Sequence, residues 1–285
     1  MNSIKKIVCR LLHFYARYFP VRKGKIPVLG LFERLGFFQN MTMTTVMASH
    51  TRVQLRIDDW VQRLVYFFGI YEFEKAESYL WMDYARESNY ILDIGSNFGY
   101  YSLLACDVNP DCKVLAFEPA PDMFRALQHN LKLNHYLNVE PLNIGLSDRM
   151  GRFDFFVADS KHTGMSGLSM PDGVGGRKIE VDVSTVDKIL NDKPSFIPEL
   201  IKIDVEGNEL NVLLGMHETL KHARPVFFIE IYERNLLKFG HHGDQVFKFF
   251  HELGYEIHEF IPEQGLLKVD VAKDIGLAIC IPKFS

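Results

Sequence analysis

Two hydrophobic periods divide the chain. Near the N-terminus, Ile4, Ile7, Val8, Leu11, Leu12, Tyr15 and Phe19 recur at helical spacing, which predicts a helix over residues 4–19. Pro20, Gly24 and Pro27 break it, and residues 30–49 read as a loosely structured connector. Residues 52–71 mix short β-prone stretches with Asp58, Asp59 and Trp60, and a helix over 72–86 follows. From Ile91 onward short apolar runs alternate with helix-compatible segments. Strands are expected up to Asp93 and at 113–117, 138–142, 200–204 and 226–231, with helices at 100–107, 122–134, 208–220 and 244–253. Pro121 is placed to start the second of these helices, where its missing N–H costs nothing. Strands alternating with helices argue a doubly wound, largely parallel, Rossmann-like α/β sheet. Two further strands, near 255–260 and 276–281, complete it.

The alternation is interrupted once. Phe153, Phe155 and Val157 share one face of a strand, and Ile179, Val181 and Val183 answer from another, which predicts a β-hairpin insertion. The glycine-rich stretch 159–177 between them reads as a mobile loop. The organisation expected is a basic helical extension and connector over residues 1–50, then a catalytic domain over 51–285.

The segment ILDIGSNFGYYS, beginning at Ile91, carries the most chemistry. A strand ends in Asp93, a loop holding Gly95, Ser96, Asn97 and Gly99 follows, and a helix begins at Tyr100: the first strand-loop-helix of a nucleotide-binding sheet. Glu118 closes the next strand, where an acid can accept hydrogen bonds from a ribose diol. The spacing fits a dinucleotide or S-adenosylmethionine. A dinucleotide turn wants GxGxxG, but Asn97 stands at the second glycine, which favours S-adenosylmethionine. Asp93 is a carboxylate suited to a methionine ammonium. At the tip of the fourth strand, Asp204 and Glu206 flank a turn made possible by Gly207, and Glu230 ends the fifth. Such a carboxylate cluster can orient and deprotonate a hydroxyl, or hold a divalent cation; no metal motif of recognised spacing is present, so no metal site is assigned. His162, in the glycine-rich loop, is a second candidate base. Lys161, Thr163, Ser166 and Ser169 beside it would suit a polyhydroxylated acceptor.

Bulk properties narrow the class. A formal charge of −4 gives no global case for nucleic-acid binding. The four cysteines form no CxxC pair, so neither a zinc site nor a disulfide framework is indicated, and a reducing, cytoplasmic setting is expected. No apolar run reaches the ~18 residues of a membrane span. Seven basic residues (Lys5, Lys6, Arg10, Arg17, Arg22, Lys23 and Lys25) precede the first acid, Glu33. The first helix is therefore either a basic amphipathic element resting on an anionic membrane surface or partner, or a helix docked on the domain with its basic face in solvent.

Taken together, LDIGSNFGYYS, AFEPAP, NIGLSDRMGRFDFF, LIKIDVEGNELNVLLG and FFIEIYER resemble the FkbM family of S-adenosylmethionine-dependent methyltransferases, over about residues 52–281. The resemblance implies a class I methyltransferase fold and O-methylation of a hydroxyl on a sugar, a lipid-linked glycan or a polyketide. It implies that Asp93, Gly95, Asn97 and Gly99 cradle the cofactor's methionine end and that Glu118 holds the ribose. By the same resemblance Ser147 and Asp148 lie near the adenine, and Asp204 and Glu206 face the acceptor. Two other readings compete: a nicotinamide-dependent oxidoreductase, and a non-enzymatic methyltransferase-like scaffold at a membrane surface.

Overall fold

The computed structural model describes residues 2–283 except 21, 22, 49, 160, 171, 172, 262 and 273. Arg22 of the basic segment, Ser49 of the expected connector, and Ser160, Pro171 and Asp172 of the glycine-rich loop thus lie outside the described residues. The strands are β1 (Thr42–Val46), β2 (Arg52–Arg56), β3 (Tyr90–Ile94), β4 (Lys113–Phe117), β5 (Val139–Leu142), β6 (Gly145–Leu146), β7 (Gly151–Ala158), β8 (Gly176–Ser184), β9 (Leu200–Ile203), β10 (Val226–Ile231), β11 (Tyr255–Ile261), β12 (Gly265–Lys268) and β13 (Ile275–Pro282). The helices are α1 (Asn2–Tyr18), α2 (Lys25–Arg34), α3 (Trp60–Phe68), α4 (Lys75–Arg86), α5 (Tyr100–Val108), α6 (Pro121–Leu133), α7 (Val186–Asn191), α8 (Glu209–Leu214), α9 (Glu233–Leu236) and α10 (Gly243–Glu252).

Eight strands form the central sheet in the order β12-β11-β13-β10-β9-β3-β4-β5. The run from β10 through β9, β3 and β4 to β5 is parallel, and β13 is inserted antiparallel between β10 and β11. Successive β3 residues feed different cores: Ile91 joins one hydrophobic cluster and Leu92 the other. The sheet is therefore covered on both faces, which is why its parallel strands read as nearly continuous apolar runs. Trp81 of α4 anchors one layer, edge-on to Tyr101 and Phe228 and donating from Nε1 to the Tyr101 carbonyl at 3.0 Å. Chain order reverses between β3 and β9, so the crevice expected to bind a ligand opens at their carboxyl ends.

The N-terminal third differs from expectation. The predicted connector holds α2 and β1, with Pro27 tolerated in the first turn of α2, where N–H groups have no partner within the helix. The β-prone stretch after β2 is α3, fixed by Asp59 accepting from the Gln62 amide at its start and by Gly69 in the left-handed region at its end. Residue 50 lies in the turn of the β1–β2 hairpin, and Cys9, Leu12 and Ala16 of α1 share a cluster with the sheet residues Ile91 and Val114. The insertion is the antiparallel β7–β8 pair, with β6 added to β8. It packs Phe155, Val157, Val181 and Val183 on Ala120 and Met123 at the start of α6.

Candidate active site

A cavity of about 560 Å³ opens at the β3/β9 crevice. Its floor is the β3–α5 loop. Gly95 has φ 83°, and a Cβ there would stand 1.8 Å from the Asp204 carbonyl oxygen, so only glycine lets the loop lie against the tip of β9. Ser96 and Asn97 follow in the wall. Asn97 is also left-handed (φ 51°), and its Oδ1 is buried with no hydrogen-bond partner among the described residues. An orphaned acceptor at a ligand crevice suits a donor such as an ammonium.

Glu118, buried at the tip of β4, accepts the Asn97 amide on Oε2 at 2.8 Å and the Ala120 amide on Oε1 at 2.7 Å. Each oxygen keeps lone-pair capacity for a diol. Burial pushes its carboxyl up to about 7, with the two amides working in the opposite direction. A diol that donates to this group favours the ionised form. Ligand affinity is therefore expected to fall as pH drops from above 7 to about 6, by up to about tenfold, the proton-linked loss for one group at one unit below its pKa. Titration of the cofactor product at several pH values checks this, and Glu118→Gln should flatten the profile.

Asp93 does not line the cavity. Wholly buried, it accepts from the Ser102 amide at 3.0 Å and the Ser102 hydroxyl at 2.5 Å, and burial raises it to about 6. Through these bonds it fixes the start of α5 behind the loop. Gly99 is likewise outside the wall: its left-handed φ of 94° begins α5, and a Cβ would strike Leu127. Ser147 and Asp148 bond to each other, and it is Ile144, Gly145 and Leu146 that reach the cavity instead.

At the other end, ligand atoms of Asp204, Glu206 and Glu230 lie within 4.8 Å of one another. Two backbone features aim them. Glu206 adopts φ 57°, and the β10–β13 register shifts across Glu230, an irregularity of the kind that re-aims side chains at strand ends. Glu206 accepts from Asn235 Nδ2 at 3.2 Å, while Glu209, not Glu206, receives the turn's amides from Val205 and Gly207. Beneath them Lys202, 2% exposed, places Nζ 3.1 Å from Asp204 Oδ2 and 5.1 Å from the Tyr101 ring centre. Burial pulls this ammonium down, yet Asp204, Glu74 and Glu230 outweigh it and hold Lys202 above its usual range. Burial, reinforced by the Asp204 charge, raises Glu206 and drives Glu230 far up. The cluster thus carries several carboxylates against one internal cation, able to take up a proton or to accept hydrogen bonds from hydroxyls. The same three side chains have the donor chemistry of a divalent-cation site, with Lys202 already supplying one positive charge.

The glycine-rich loop forms the roof. Thr163 donates from its amide (2.9 Å) and hydroxyl (2.7 Å) to Asp59 Oδ2, and the Trp60 amide donates to the Lys161 carbonyl at 3.1 Å. The N-cap of α3 is thus also the latch of the roof. Thr163→Val is expected to cost about 1–3 kcal/mol by leaving the buried Asp59 short of a donor. Amide exchange should quicken in residues 161–168 before it does so in the sheet. His162 lines the cavity, but its Nδ1 is engaged with Asp159 Oδ1 at 2.9 Å.

Lys202 could have been read from the sequence as a cation inside an otherwise apolar buried strand. Glu74, which accepts from Tyr101 at 2.6 Å, and Asp59, Trp60 and Arg63 reach the cavity from a region with no local motif.

Residues 93–257 match the family model of the methyltransferase FkbM domain. The chain belongs to that family. Similar proteins include the hexuronic acid methyltransferase AglP of Haloferax volcanii, 32% identical over 142 residues covering 50% of this chain and 56% of that one. Methyltransferase sdnD of Sordaria araneosa is 31% identical over 157 residues, covering 45% and 61%. A solved FkbM methyltransferase from Methylobacillus flagellatus aligns over 68% of this chain and 43% of its own, at 19% identity and TM-score 0.44. The chain spans 56–61% of the length of these two curated relatives. The matched residues take in β4 to β10 of the fold and the cavity walls from Ile94 to Glu230, whereas α1 to α4, β12, β13 and the cavity residues Asp59, Trp60, Arg63 and Glu74 lie outside them.

Proposed function

We propose that this FkbM domain protein is an S-adenosylmethionine-dependent O-methyltransferase acting on a hydroxyl, with a sugar, glycan or lipid-linked saccharide as acceptor. The observation that carries it is the pairing, in one cavity, of an orphaned Asn97 Oδ1 and a two-oxygen Glu118 site at one end with a carboxylate cluster at the other. Asn97 Oδ1 would take the cofactor's ammonium, Glu118 its ribose hydroxyls, and Ile144 and Leu146 the flat adenine. The cofactor supplies an electrophilic methyl group on a good leaving group, so the protein's part is alignment and removal of the acceptor's proton. Asp204 is the base, with Glu206 and Glu230 as acceptors for the neighbouring hydroxyls of a polyol. Relatives such as the 2-O-methyltransferase NoeI and the hexuronic acid methyltransferase AglP support this reading. A lipid-linked acceptor would require the protein to work at a bilayer surface.

The test is calorimetric titration with S-adenosylhomocysteine, then mass spectrometry of candidate saccharides for the mass of one CH₂. Binding of S-adenosylhomocysteine with a methylated hydroxyl product supports the proposal. Stabilisation by a nicotinamide dinucleotide in its place would overturn it.

A further inference from the structure

Helix α1 carries two apolar stripes, and only one of them is used. Cys9, Leu12 and Ala16 are buried, and this face packs on α3. Ile4, Ile7, Leu11, Phe14 and Tyr18 recur at alternating steps of three and four residues, so they share a second face running the length of the helix. All five are 56–65% exposed. A helix whose apolar residues were all needed by the core would not present a second row of this size to water.

Charge identifies what covers the stripe. From Met1 to Phe32 the sequence has seven basic residues and no acid. Lys6 and Arg10 border the stripe on α1 and are exposed, as is Lys23 beyond it. Among the described residues none of these three has an acidic partner, whereas Lys5, Arg17 and Lys25 are spent on carbonyls of Gly36, Val46, and Ala16 and Phe19. A second copy of the chain is a poor occupant. Joining two such stripes gathers the positive charge of both segments, with no acid in either to answer it. An anionic lipid surface answers both features at once: acyl chains take the apolar stripe and headgroups take Lys6, Arg10 and Lys23.

We propose that α1 is an in-plane anchor seating the protein on an anionic bilayer. The side chains that bind lipid are Ile4, Ile7, Leu11, Phe14 and Tyr18, flanked by Lys6 and Arg10. Because α1 packs on α3, and Asp59, Trp60 and Arg63 at the start of α3 line the cavity, anchoring sets the cavity wall close to the headgroup plane. The anchor stands on α1 alone and does not depend on the methyl-transfer reading.

Co-sedimentation of the full chain with phosphatidylcholine vesicles, with and without phosphatidylglycerol, tests it. Binding is expected to the anionic vesicles and to weaken as salt rises. It should fall by more than about tenfold in Ile7→Ser/Leu11→Ser/Phe14→Ser and again in Lys6→Glu/Arg10→Glu. Thermal unfolding and S-adenosylhomocysteine titration of both variants should match the parent protein, since every substituted side chain is exposed. If the triple-serine variant unfolds, the charge-reversal variant decides the matter alone. The proposal fails if the parent protein ignores anionic vesicles or if neither variant reduces binding. It fails equally if sedimentation velocity shows a dimer that the serine variant dissolves, which would give the stripe to a second copy.

Discussion

Lys202→Met is expected to destabilise the protein by about 3–5 kcal/mol near neutral pH, the usual cost of removing one partner from a buried ionic cluster. The side chain is 2% exposed, and it is the cation that Asp204, Glu74 and Glu230 share. Methionine preserves much of the volume, so the loss reports charge rather than packing. Its pH dependence gives a second signature. Burial raises Glu74, and burial with the Asp204 charge raises Glu206 and Glu230, above their unfolded values; without Lys202 they rise further. A carboxyl raised in the folded state contributes stability that is fully present below its unfolded pKa of about 4.3 and is lost as pH climbs through the folded value. The variant should therefore recover much of its deficit at mildly acidic pH. Urea unfolding at acidic and neutral pH measures this, and an equal deficit at both would show that Lys202 acts through packing instead.

Asp204→Asn should lower turnover by about 10²–10⁴-fold, the range supplied by a positioned general base. S-adenosylhomocysteine affinity should change little, because the Asp204 carboxylate is bonded to Lys202 and not to Asn97 or Glu118, the cofactor contacts proposed here. Single-turnover methyl transfer alongside calorimetry separates the two effects. A parallel collapse of both would mean that Asp204 supports the Gly95 loop and is not the base.

How much of this was legible depends on what kind of interaction places each residue. β4 and β10 were found at their observed bounds because strands buried on both faces must be apolar throughout, and α6 because Pro121 marks its start. α3 was missed because Trp60, Val61, Val65, Tyr66, Phe67 and Phe68 are β-branched or aromatic; packing on α1 and the Asp59 and Gly69 caps override that preference. Glu118, Asp204, Glu206 and Glu230 were readable because strand tips at a topological switch point face a common crevice. Asp93 sits at such a tip too, but a wholly buried carboxylate must be satisfied locally, and Ser102 does so. Glu74 and Asp59 come to the cavity through tertiary packing, which leaves no periodic trace.

The contact of Gly95 with the Asp204 carbonyl ties the proposed donor loop and the proposed base to a single point of backbone. Their separation is set by main-chain geometry, which side-chain changes elsewhere scarcely alter. New acceptor preferences can then arise by rebuilding the roof and the α3 side, leaving the reacting distance untouched. The molecule is in this sense a fixed gauge with an exchangeable jaw.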